Sequence, residues 1–275
     1  MKYIKRLMAV FWKGHRAIVR KNSRLKNCHA GETCMILGNG GSLKNFDLSK
    51  LPNLPAICTA YSLVDNRLKD VNVRYWVIPD SYVLYPVIMN HVEKKIAKNY
   101  LRPILKKIAL NNRQVTLIHS LTHFYSFFPK TKDVVYYHHF GDKKSGSFDL
   151  AGDFATCAGS LHIMIGVARF LGFSKAILLG CDYLGSPKLE GHFYSDSAPV
   201  YGKDDSQHVD KVKGIAGDLD MTVILAEGSS CSAFKSASFE EYFGVPEVKK
   251  TNVEIIDEEY LAMMRKAAVK NQIYI

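Results

Sequence analysis

A glycine-rich turn, Gly38-Asn39-Gly40-Gly41-Ser42, follows the first apolar run of the chain, residues 33–37. A short apolar run that ends in glycine is typical of a buried parallel strand. Glycines after such a strand let the backbone pass close to a pyrophosphate, with its amide groups directed at the phosphate oxygens. We therefore predict that this turn binds the phosphate of a nucleotide-bearing small molecule. The alternative is that the glycines only make a tight turn.

The spacing of the turn bears on which nucleotide it would bind. It is not G-x-G-x-x-G, and no acidic residue ends the second predicted strand, residues 56–59. A dinucleotide-binding fold is expected to have both the G-x-G-x-x-G spacing and the acidic residue. The sequence therefore disfavours NAD and related cofactors.

A second candidate segment lies at the end of the apolar run 175–182, where Gly180 is followed by Asp182 and Tyr183. In an open parallel sheet, ligands bind beyond the carboxyl ends of the strands. A carboxylate at this position would face the same edge as the glycine-rich turn. We expect the two segments to lie close together.

Other apolar runs and one clear amphipathic segment supply the elements that position these residues. Strands are predicted at residues 33–37, 56–59, 75–78, 115–119, 175–182 and 221–225, and helices at 86–110, 160–170 and 207–217. Gly172 occupies the position where a left-handed residue ends the second of these helices. The alternation predicts an α/β fold with a Rossmann-like open, mostly parallel sheet. Residues 119–153, rich in aromatic residues, His and Lys, are interpreted as a small lid-type insertion.

The composition is that of an ordinary globular protein of 275 residues, 47% hydrophobic and 23% charged. We predict three parts: a basic amphipathic segment (1–30), a catalytic domain (31–245) and a C-terminal helical tail (246–275). The six cysteines show no C-x-x-C spacing and are expected to be reduced thiols. With no apolar run of about 20 residues and no signal peptide, the sequence predicts a cytoplasmic protein.

The net charge of +11 is concentrated near the N-terminus, where residues 1–26 contain no acidic residue. Apolar residues recur there at helical spacing, which suits an anionic membrane surface and predicts a peripheral protein of the inner face. A helix packed on its own domain is the equal alternative. Nucleic acid is not expected as a partner, because the positive charge is not interleaved with stacking aromatics.

Two stretches of the chain resemble glycosyltransferase family 42, the bacterial sialyltransferases. The first is residues 36–43 with Asp47 and Leu51, and the second runs from Gly159-Ser160 through 171–173 to 179–183. A weaker match joins residues 228–230 and Phe234 to a loop near the nucleotide. The same opening turn is similar to that of MptE-like proteins of surface-polysaccharide loci, named after a hydroxymethylpterin pyrophosphokinase.

The resemblance to family 42 implies a GT-A variant-like fold and a CMP-activated sugar donor. It implies that Asn39 lies near the phosphate and Ser160 near the nucleotide or the donor carboxylate, with no cofactor and no metal. The candidate nucleotide-binding residues are Gly38, Asn39, Gly40, Gly41, Ser42, Asp80, Gly159, Ser160, Gly180, Asp182, Tyr183 and Ser230.

The chain departs from the family 42 pattern after the second and third strands. The second strand of the sialyltransferases ends in an Asn that also holds the nucleotide, and the corresponding stretch here is Thr59-Ala60-Tyr61. The third strand ends in Pro79-Asp80, where the sialyltransferases have an Asn. Acidic residues at the latter point are similar to those of the MptE-like group. Asp80 therefore favours the second resemblance, which implies ATP and Mg²⁺ held by Asp80 and Asp182.

Sialyl transfer needs a base for the acceptor hydroxyl, and an imidazole with a pKa near neutrality suits that task. His208 begins a helix similar to the one after the family's catalytic His and is narrowly preferred; His192, in a glycine-led loop past Asp182, is the alternative. Tyr194 and Tyr201 are candidates for stabilising the leaving phosphate, a role that the family gives to tyrosines.

Two other patterns are assigned no chemistry. Asp218-Leu219-Asp220 spells the D-x-D metal triplet of many transferases but follows a helix late in the chain, so we interpret it as coincidence. The group His119, His123, His138 and His139 lacks the partners of a zinc site, and we expect solvated or π-packed side chains. No P-loop and no nucleophile elbow are present.

The sequence thus predicts a metal-independent, sialyltransferase-like glycosyltransferase of polysaccharide biosynthesis. It would transfer sialic acid or a related acidic sugar from a CMP donor to a surface-glycan or lipid-linked acceptor. The alternatives are an MptE-like pyrophosphokinase and a non-catalytic nucleotide-binding scaffold of glycan assembly. The oligomeric state is left open.

Overall fold

The computed structural model describes residues 10, 14–79, 95, 97–124, 126, 128–129, 131–138, 147–155, 159–197, 199–203 and 206–271. The strands among these residues are β1 Thr33–Leu37, β2 Ala56–Thr59, β3 Val73–Ile78, β4 Thr116–Ser120, β5 Asp133–Tyr137, β6 Lys175–Leu179, β7 Lys188–Glu190, β8 Val200–Gly202, β9 Asp220–Leu225 and β10 Lys235–Ser238. Residues 14–20 are also helical, and the later α-helices are α1 Arg102–Asn111, α2 Ser160–Leu171, α3 Ser206–Ala216, α4 Phe239–Phe243, α5 Asn252–Ile255 and α6 Glu258–Asn271.

Eight strands form one sheet in the order β10-β9-β6-β1-β2-β3-β4-β5, and each neighbouring pair is parallel. This is the Rossmann-like open parallel sheet that the sequence predicts. The remaining strands, β7 and β8, pair antiparallel as a separate hairpin. The predicted strands at residues 33–37 and 56–59 are confirmed with the same bounds.

The central strands are buried on both faces, because helices cover both sides of the sheet. One apolar cluster packs the side chains of α1 and α6 against alternate residues of the strands, such as Trp76 and Leu117. The other packs α2 and α3 against the intervening residues, such as Val77 and Ile118. A strand buried on both faces needs a continuous apolar run rather than an alternating pattern, which is what the sequence contains.

Helix α2 forms as predicted, and the described residues of the helix predicted at 86–110 are helical. Gly172 ends α2 with φ of 90°, the left-handed conformation that glycine adopts without steric cost. Of the helix predicted at residues 86–110, α1 forms the last part after a π-helical turn, Ala97–Leu101. Residues 80–94 and 96 lie outside the described residues.

Strand β5 lies within residues 119–153, where a lid-type insertion was expected. It pairs with β4 over five residues, from Thr116–Asp133 to Ser120–Tyr137, and extends the main sheet. The aromatic and His content of this stretch concealed a short strand that has only two adjacent valines. Residues 139–146 lie outside the described residues, so the prediction of a lid is untested.

The described part of the N-terminal segment packs on the domain. Residues 14–20 are helical, and Val19 is fully buried. Asn22 follows in a 3-10 turn, where its side-chain Nδ2 donates to the carbonyl oxygens of Tyr136 at 2.8 Å and Leu150 at 2.7 Å. This packing agrees with the alternative in which the N-terminal helix packs on its own domain. Residues 1–9 and 11–13, which hold most of the basic amphipathic pattern, lie outside the described residues.

The described part of the chain bears on two expectations, that the cysteines are reduced thiols and that no segment spans a membrane. Five cysteines there are free thiols, and burial raises the pKa of Cys34 to about 12. None of the helices among these residues is long and apolar enough to cross a membrane.

The order of the strands reverses between β1 and β6. The chain runs from β1 through β5 in one direction and then returns to place β6 on the other side of β1. In open α/β sheets, the crevice beyond the carboxyl ends of the strands at such a switch point is where ligands bind. The loops that leave β1 and β6 are the glycine-rich turn and the Asp182 segment.

Candidate functional site

The glycine-rich turn is tied to the loop after β6 by its own backbone. The amide of Gly38 donates to the carbonyl of Leu179 at 2.8 Å, and the amide of Gly40 donates to the carbonyl of Gly180 at 2.8 Å. Among the described residues, the amide of Asn39 and its side-chain Nδ2 donate to no acceptor. The amides of Gly38 and Gly40 are thus used within the protein, whereas the donors of Asn39 remain available.

The glycines are required by close packing. A Cβ on Gly38 would lie 2.2 Å from the carbonyl oxygen of Gly180, and one on Gly40 would lie 2.5 Å from Asp182 Oδ2. A Cβ on Gly41 would lie 2.5 Å from Pro199 in the loop before β8. Close packing against the neighbouring loops thus accounts for the three glycines, and phosphate binding by the turn stays a prediction.

Asp182 joins the two candidate segments. It is buried, and both of its carboxylate oxygens accept hydrogen bonds from Ser42, one from the backbone amide at 2.8 Å and one from the hydroxyl. Burial raises the pKa of Asp182 to about 6, and the Ser42 hydrogen bonds oppose this rise. The carboxylate therefore has a structural partner, and its role toward a nucleotide stays a prediction.

Ser62 orients the Asn39 side chain. The Ser62 hydroxyl, fully buried, donates to Asn39 Oδ1 at 2.6 Å. Since the amide oxygen is used in this way, Nδ2 is the atom that remains for a ligand. Sequence reasoning missed Ser62; the signal was a small polar residue just after the point where family 42 has its Asn.

The backbone after β2 is strained at that same point. Ala60 has φ of 39°, a left-handed conformation that alanine rarely adopts. The Trp76 indole Nε1 donates to the Ala60 carbonyl at 2.8 Å, and the Ala60 amide donates to Val77 at 2.9 Å. These bonds hold the turn that presents Ser62 to Asn39.

His192 lies directly against the glycine-rich turn. Its Nδ1 is 3.3 Å from the Asn39 carbonyl oxygen, which also accepts from the Phe193 amide at 3.1 Å. A carbonyl can only accept, so this contact places the proton on Nδ1 and leaves Nε2 with a lone pair. Burial lowers the pKa of His192, and the contact with Asn39 acts in the opposite direction. The arrangement is that of a neutral imidazole able to take up a proton.

His208 belongs to a different cluster. Its ring stacks on that of His162 of α2 with centroids 4.9 Å apart, and the Tyr183 ring is 6.3 Å away. Lys188 lies over the Tyr183 ring at 5.5 Å. Burial and the neighbouring His208 lower the pKa of His162 to about 4. Tyr183, the residue after Asp182, connects this cluster to the switch point.

The two candidate tyrosines occupy different environments. Tyr194 is buried and packs between Tyr61, at 5.7 Å, and the stacked ring of His192, at 5.0 Å. Tyr201 is 55% exposed, and its hydroxyl donates to the Glu227 carbonyl at 2.9 Å. Only Tyr194 is thus in contact with His192.

The remaining candidates lie around the same edge of the sheet. Gly159 and Ser160 begin α2, whose N-cap has no side-chain hydrogen bond and whose first turn has no acidic residue. The backbone of Ser230 exchanges hydrogen bonds with that of Ser186 at 3.1 and 2.8 Å. Asp80 lies outside the described residues.

An ion pair that sequence reasoning missed holds the backbone that follows the glycine-rich turn. The Arg67 guanidinium donates to the carbonyls of Leu43 at 3.0 Å and Phe46 at 2.7 Å, and pairs with Asp65 at 2.6 Å. Asp65 has no exposed side-chain surface. The 3-10 turn Gly41–Asn45 that continues the glycine-rich turn is therefore fixed by a buried charge pair.

Two motifs without assigned chemistry lie among the described residues. Asp220 begins β9 and pairs with Lys235 at 3.0 Å, so the D-x-D triplet lies at the opposite edge of the sheet from the glycine-rich turn. His119 and His123 are buried; His119 stacks on Tyr136 with centroids 4.8 Å apart. These two histidines are π-packed rather than solvated. Within the described ranges, no three His, Cys, Asp or Glu residues are grouped to hold a metal ion.

Among solved structures, the chain is similar to sialyltransferases of Campylobacter jejuni. The sialyltransferase CstII in complex with cytidine-5'-monophosphate is 15% identical, with a TM-score of 0.43 over 86% of this chain and 99% of that chain. A structure of CST-II with a trisaccharide acceptor and CMP gives 15% identity and a TM-score of 0.46 over 86% and 99%. The monofunctional α-2,3-sialyltransferase Cst-I gives 15% and 0.44 over 88% and 95%. No family model and no curated protein matches the chain.

Proposed function

We propose that the chain is a glycosyltransferase of the sialyltransferase type, which transfers an acidic sugar from a CMP donor to a hydroxyl of a glycan acceptor. The observation that carries the proposal is the contact between His192 Nδ1 and the Asn39 carbonyl. It puts an imidazole in its proton-accepting tautomer beside the turn whose sequence resembles the phosphate-binding turn of family 42. The two stretches that carry the resemblance meet through Ser42 and Asp182.

In the proposed reaction, the acceptor oxygen attacks the anomeric carbon while the bond from that carbon to the CMP phosphate oxygen breaks. The proton of the acceptor hydroxyl passes to His192 Nε2, and CMP leaves as an anion. Because the pKa of His192 is lowered, its imidazole is uncharged at neutral pH and can accept a proton there. His192 is therefore preferred to His208, which the sequence alone had narrowly favoured.

The leaving phosphate would be held chiefly by Asn39, whose Nδ2 is kept available by the hydrogen bond from Ser62 to Oδ1. Tyr194, stacked on His192, is the better placed of the two candidate tyrosines to act on the same phosphate. The N-terminus of α2 at Ser160 is a further donor of amide groups toward the nucleotide.

The proposal extends to where the reaction occurs. A surface-glycan or lipid-linked acceptor at the inner face of the membrane would suit the basic residues that precede the described helix at 14–20. The role of these residues at a membrane, like the metal independence of the reaction, is part of the proposal.

Ligand-induced stabilisation tests the donor. At a CMP concentration of 100 times Kd, linkage raises the free energy of unfolding by about 2.7 kcal/mol. For a chain of this size the melting temperature should rise by roughly 5–10 °C. UDP, GDP and ATP with Mg²⁺ serve as matched ligands in the same assay. Stabilisation by ATP with Mg²⁺ but not by CMP would instead support the pyrophosphokinase alternative.

Transfer itself is then measured with a CMP-sialic acid donor and a panel of galactose-terminated and sialic acid-terminated acceptors. The proposed enzyme releases CMP in step with formation of the glycan product. Binding of CMP without either release or transfer, across the acceptor panel, would support the scaffold alternative.

A further inference from the structure

The loop that carries His192 is held from two sides. We call residues 191–196 the His192 loop and residues 252–267 the C-terminal strut. We infer that Asn252 and Arg265 of the C-terminal strut are positioning residues that dock the His192 loop against the glycine-rich turn. The catalytic consequence rests on the proposed function, whereas the docking does not.

Asn252 makes the buried contact. Its side chain is 6% exposed, and its Nδ2 donates to the Tyr194 carbonyl at 3.0 Å and to Asp196 Oδ1 at 3.4 Å. Its Oδ1 is buried without a hydrogen-bond partner among the described residues. A buried amide with one unsatisfied end is unfavourable for folding, so the residue is better explained by its contact with the loop than by packing.

Arg265 makes the second contact, at the end of the loop. Its Nε and Nη2 donate to the two carboxylate oxygens of Asp196 at 2.8 and 3.0 Å. Both side chains are about half exposed, so the pair adds little to the stability of the fold. A bidentate guanidinium does, however, fix the orientation of the carboxylate and of the chain that carries it.

The opposite side of the loop is attached to the glycine-rich turn. The Phe193 amide and His192 Nδ1 both contact the Asn39 carbonyl, and the Lys44 ammonium donates to the Ser195 carbonyl at 3.3 Å. The loop is therefore clamped between the turn and the C-terminal strut. Loosening either side would let His192 leave the Asn39 carbonyl.

The C-terminal strut is itself rigidly based. Its apolar side chains belong to the core of one sheet face, and Ile255, Ile256 and Leu261 are at most 3% exposed. Asn66 Nδ2 also donates to Asp257 Oδ1 at 2.7 Å. Asn252 and Arg265 thus extend from a packed base to a loop that has little apolar anchoring beyond Phe193 and Tyr194.

The test compares Asn252→Ala, Arg265→Met and the rescue variant Arg265→Lys in the full chain. Glu259→Gln is the matched control. Glu259 lies on α6, as Arg265 does, but its ion pair is with Lys107 of α1 and not with the His192 loop. The first readout is hydrogen exchange of the Phe193 amide, which reports directly on the docked loop. We expect exchange to rise roughly tenfold in Asn252→Ala and Arg265→Met, with partial recovery in Arg265→Lys and no change in the control.

The second readout is the NMR titration of the His192 ring. Undocking exposes the imidazole, so its titration midpoint should move up toward 6.5 in the same two variants. In transfer assays, kcat should fall while stabilisation by CMP is unchanged. If Asn252→Ala does not fold, Arg265→Met still tests whether the C-terminal strut docks the loop. This variant alters only an exposed ion pair, so it should fold.

Wild-type exchange and titration in Arg265→Met and in every folded Asn252 variant would overturn the inference, whatever the activity. If CMP fails to stabilise the wild-type chain, the proposed function is refuted, while exchange and titration still decide whether the C-terminal strut docks the loop.

Discussion

Ser42 donates two hydrogen bonds to the buried carboxylate of Asp182, one from its amide at 2.8 Å and one from its hydroxyl. The two residues are 140 positions apart in sequence and join the loops after β1 and β6. The carboxylate has no positively charged partner among the described contacts. Two neutral donors offset only part of its desolvation, which is why its pKa is raised to about 6.

This relationship predicts how stability depends on pH. In the unfolded chain Asp182 titrates near 3.8, and in the folded chain near 6. Between these values the folded state binds more protons, so the contribution of this carboxyl to stability is present below about pH 4 and is lost as the pH rises through 6. The difference of about two pKa units corresponds to about 3 kcal/mol.

Asp182→Asn removes the charge and retains the shape. The Ser42 hydroxyl can rotate to accept from the new amide, while the Ser42 amide still donates to the oxygen. We expect the free energy of unfolding of the variant, relative to wild type, to rise by about 3 kcal/mol between pH 4 and pH 7. Urea denaturation at a series of pH values measures this. If the free energy of unfolding changed with pH in the same way in both proteins, the raised pKa of Asp182 would be contradicted.

The fold could be predicted from the sequence because buried parallel strands leave a simple pattern. Continuous apolar runs such as residues 33–37 and 56–59 have only one stable place, between two layers of helices. Strand β5 and the β7–β8 hairpin could not be predicted in this way. They are short and at an edge or outside the sheet, so their residues need not be apolar.

The candidate site could be predicted only in part. The glycine-rich turn and Asp182 are local patterns at strand ends, and their proximity follows from the parallel topology. The contacts of Ser62 with Asn39 and of Asn252 with Tyr194 depend on how separate loops pack. No periodicity or spacing encodes such contacts. The preference between His192 and His208 likewise needed the position of the Asn39 carbonyl.

The packing of the glycine-rich turn predicts a large difference between two glycine substitutions. In Gly38→Ala, the new Cβ would lie 2.2 Å from a backbone oxygen that cannot move without breaking the contact between β1 and β6. We expect a loss of about 3 kcal/mol in the free energy of unfolding. In Gly214→Ala, on the exposed face of α3, nothing lies within 4 Å of the Cβ, and we expect a gain of about 0.5–1 kcal/mol.

Thermal or chemical denaturation of these two variants beside wild type provides the measurement. Equal stability of Gly38→Ala and wild type would mean that the two turns are not in the close contact described.

Asn39→Asp tests the nucleotide site without altering the contact to His192, which uses the backbone carbonyl. The variant keeps an oxygen for the Ser62 hydroxyl but replaces the Nδ2 donor by a negative charge. Loss of a hydrogen bond to a phosphate corresponds to about 1.5–3 kcal/mol, or roughly 10- to 100-fold weaker CMP binding. Calorimetric titration with CMP measures the change.

Ser62→Ala is the companion variant, because it removes only the group that orients Asn39. Its loss of CMP affinity should be smaller than that of Asn39→Asp. Unchanged affinity in Asn39→Asp would remove Asn39 from the phosphate site.

The pH dependence of transfer distinguishes the two candidate bases. Burial lowers the pKa of His192 below 6.5, so kcat of the wild-type chain should fall on the acidic side with a midpoint below that value. His192→Ala should lower kcat by roughly 10²- to 10⁴-fold and abolish the acidic limb, while stabilisation by CMP persists. His208→Ala is the matched control, since the His208 ring stacks on that of His162 in α2. It should retain the acidic limb and most of the rate, and the reverse result would transfer the role of base to His208.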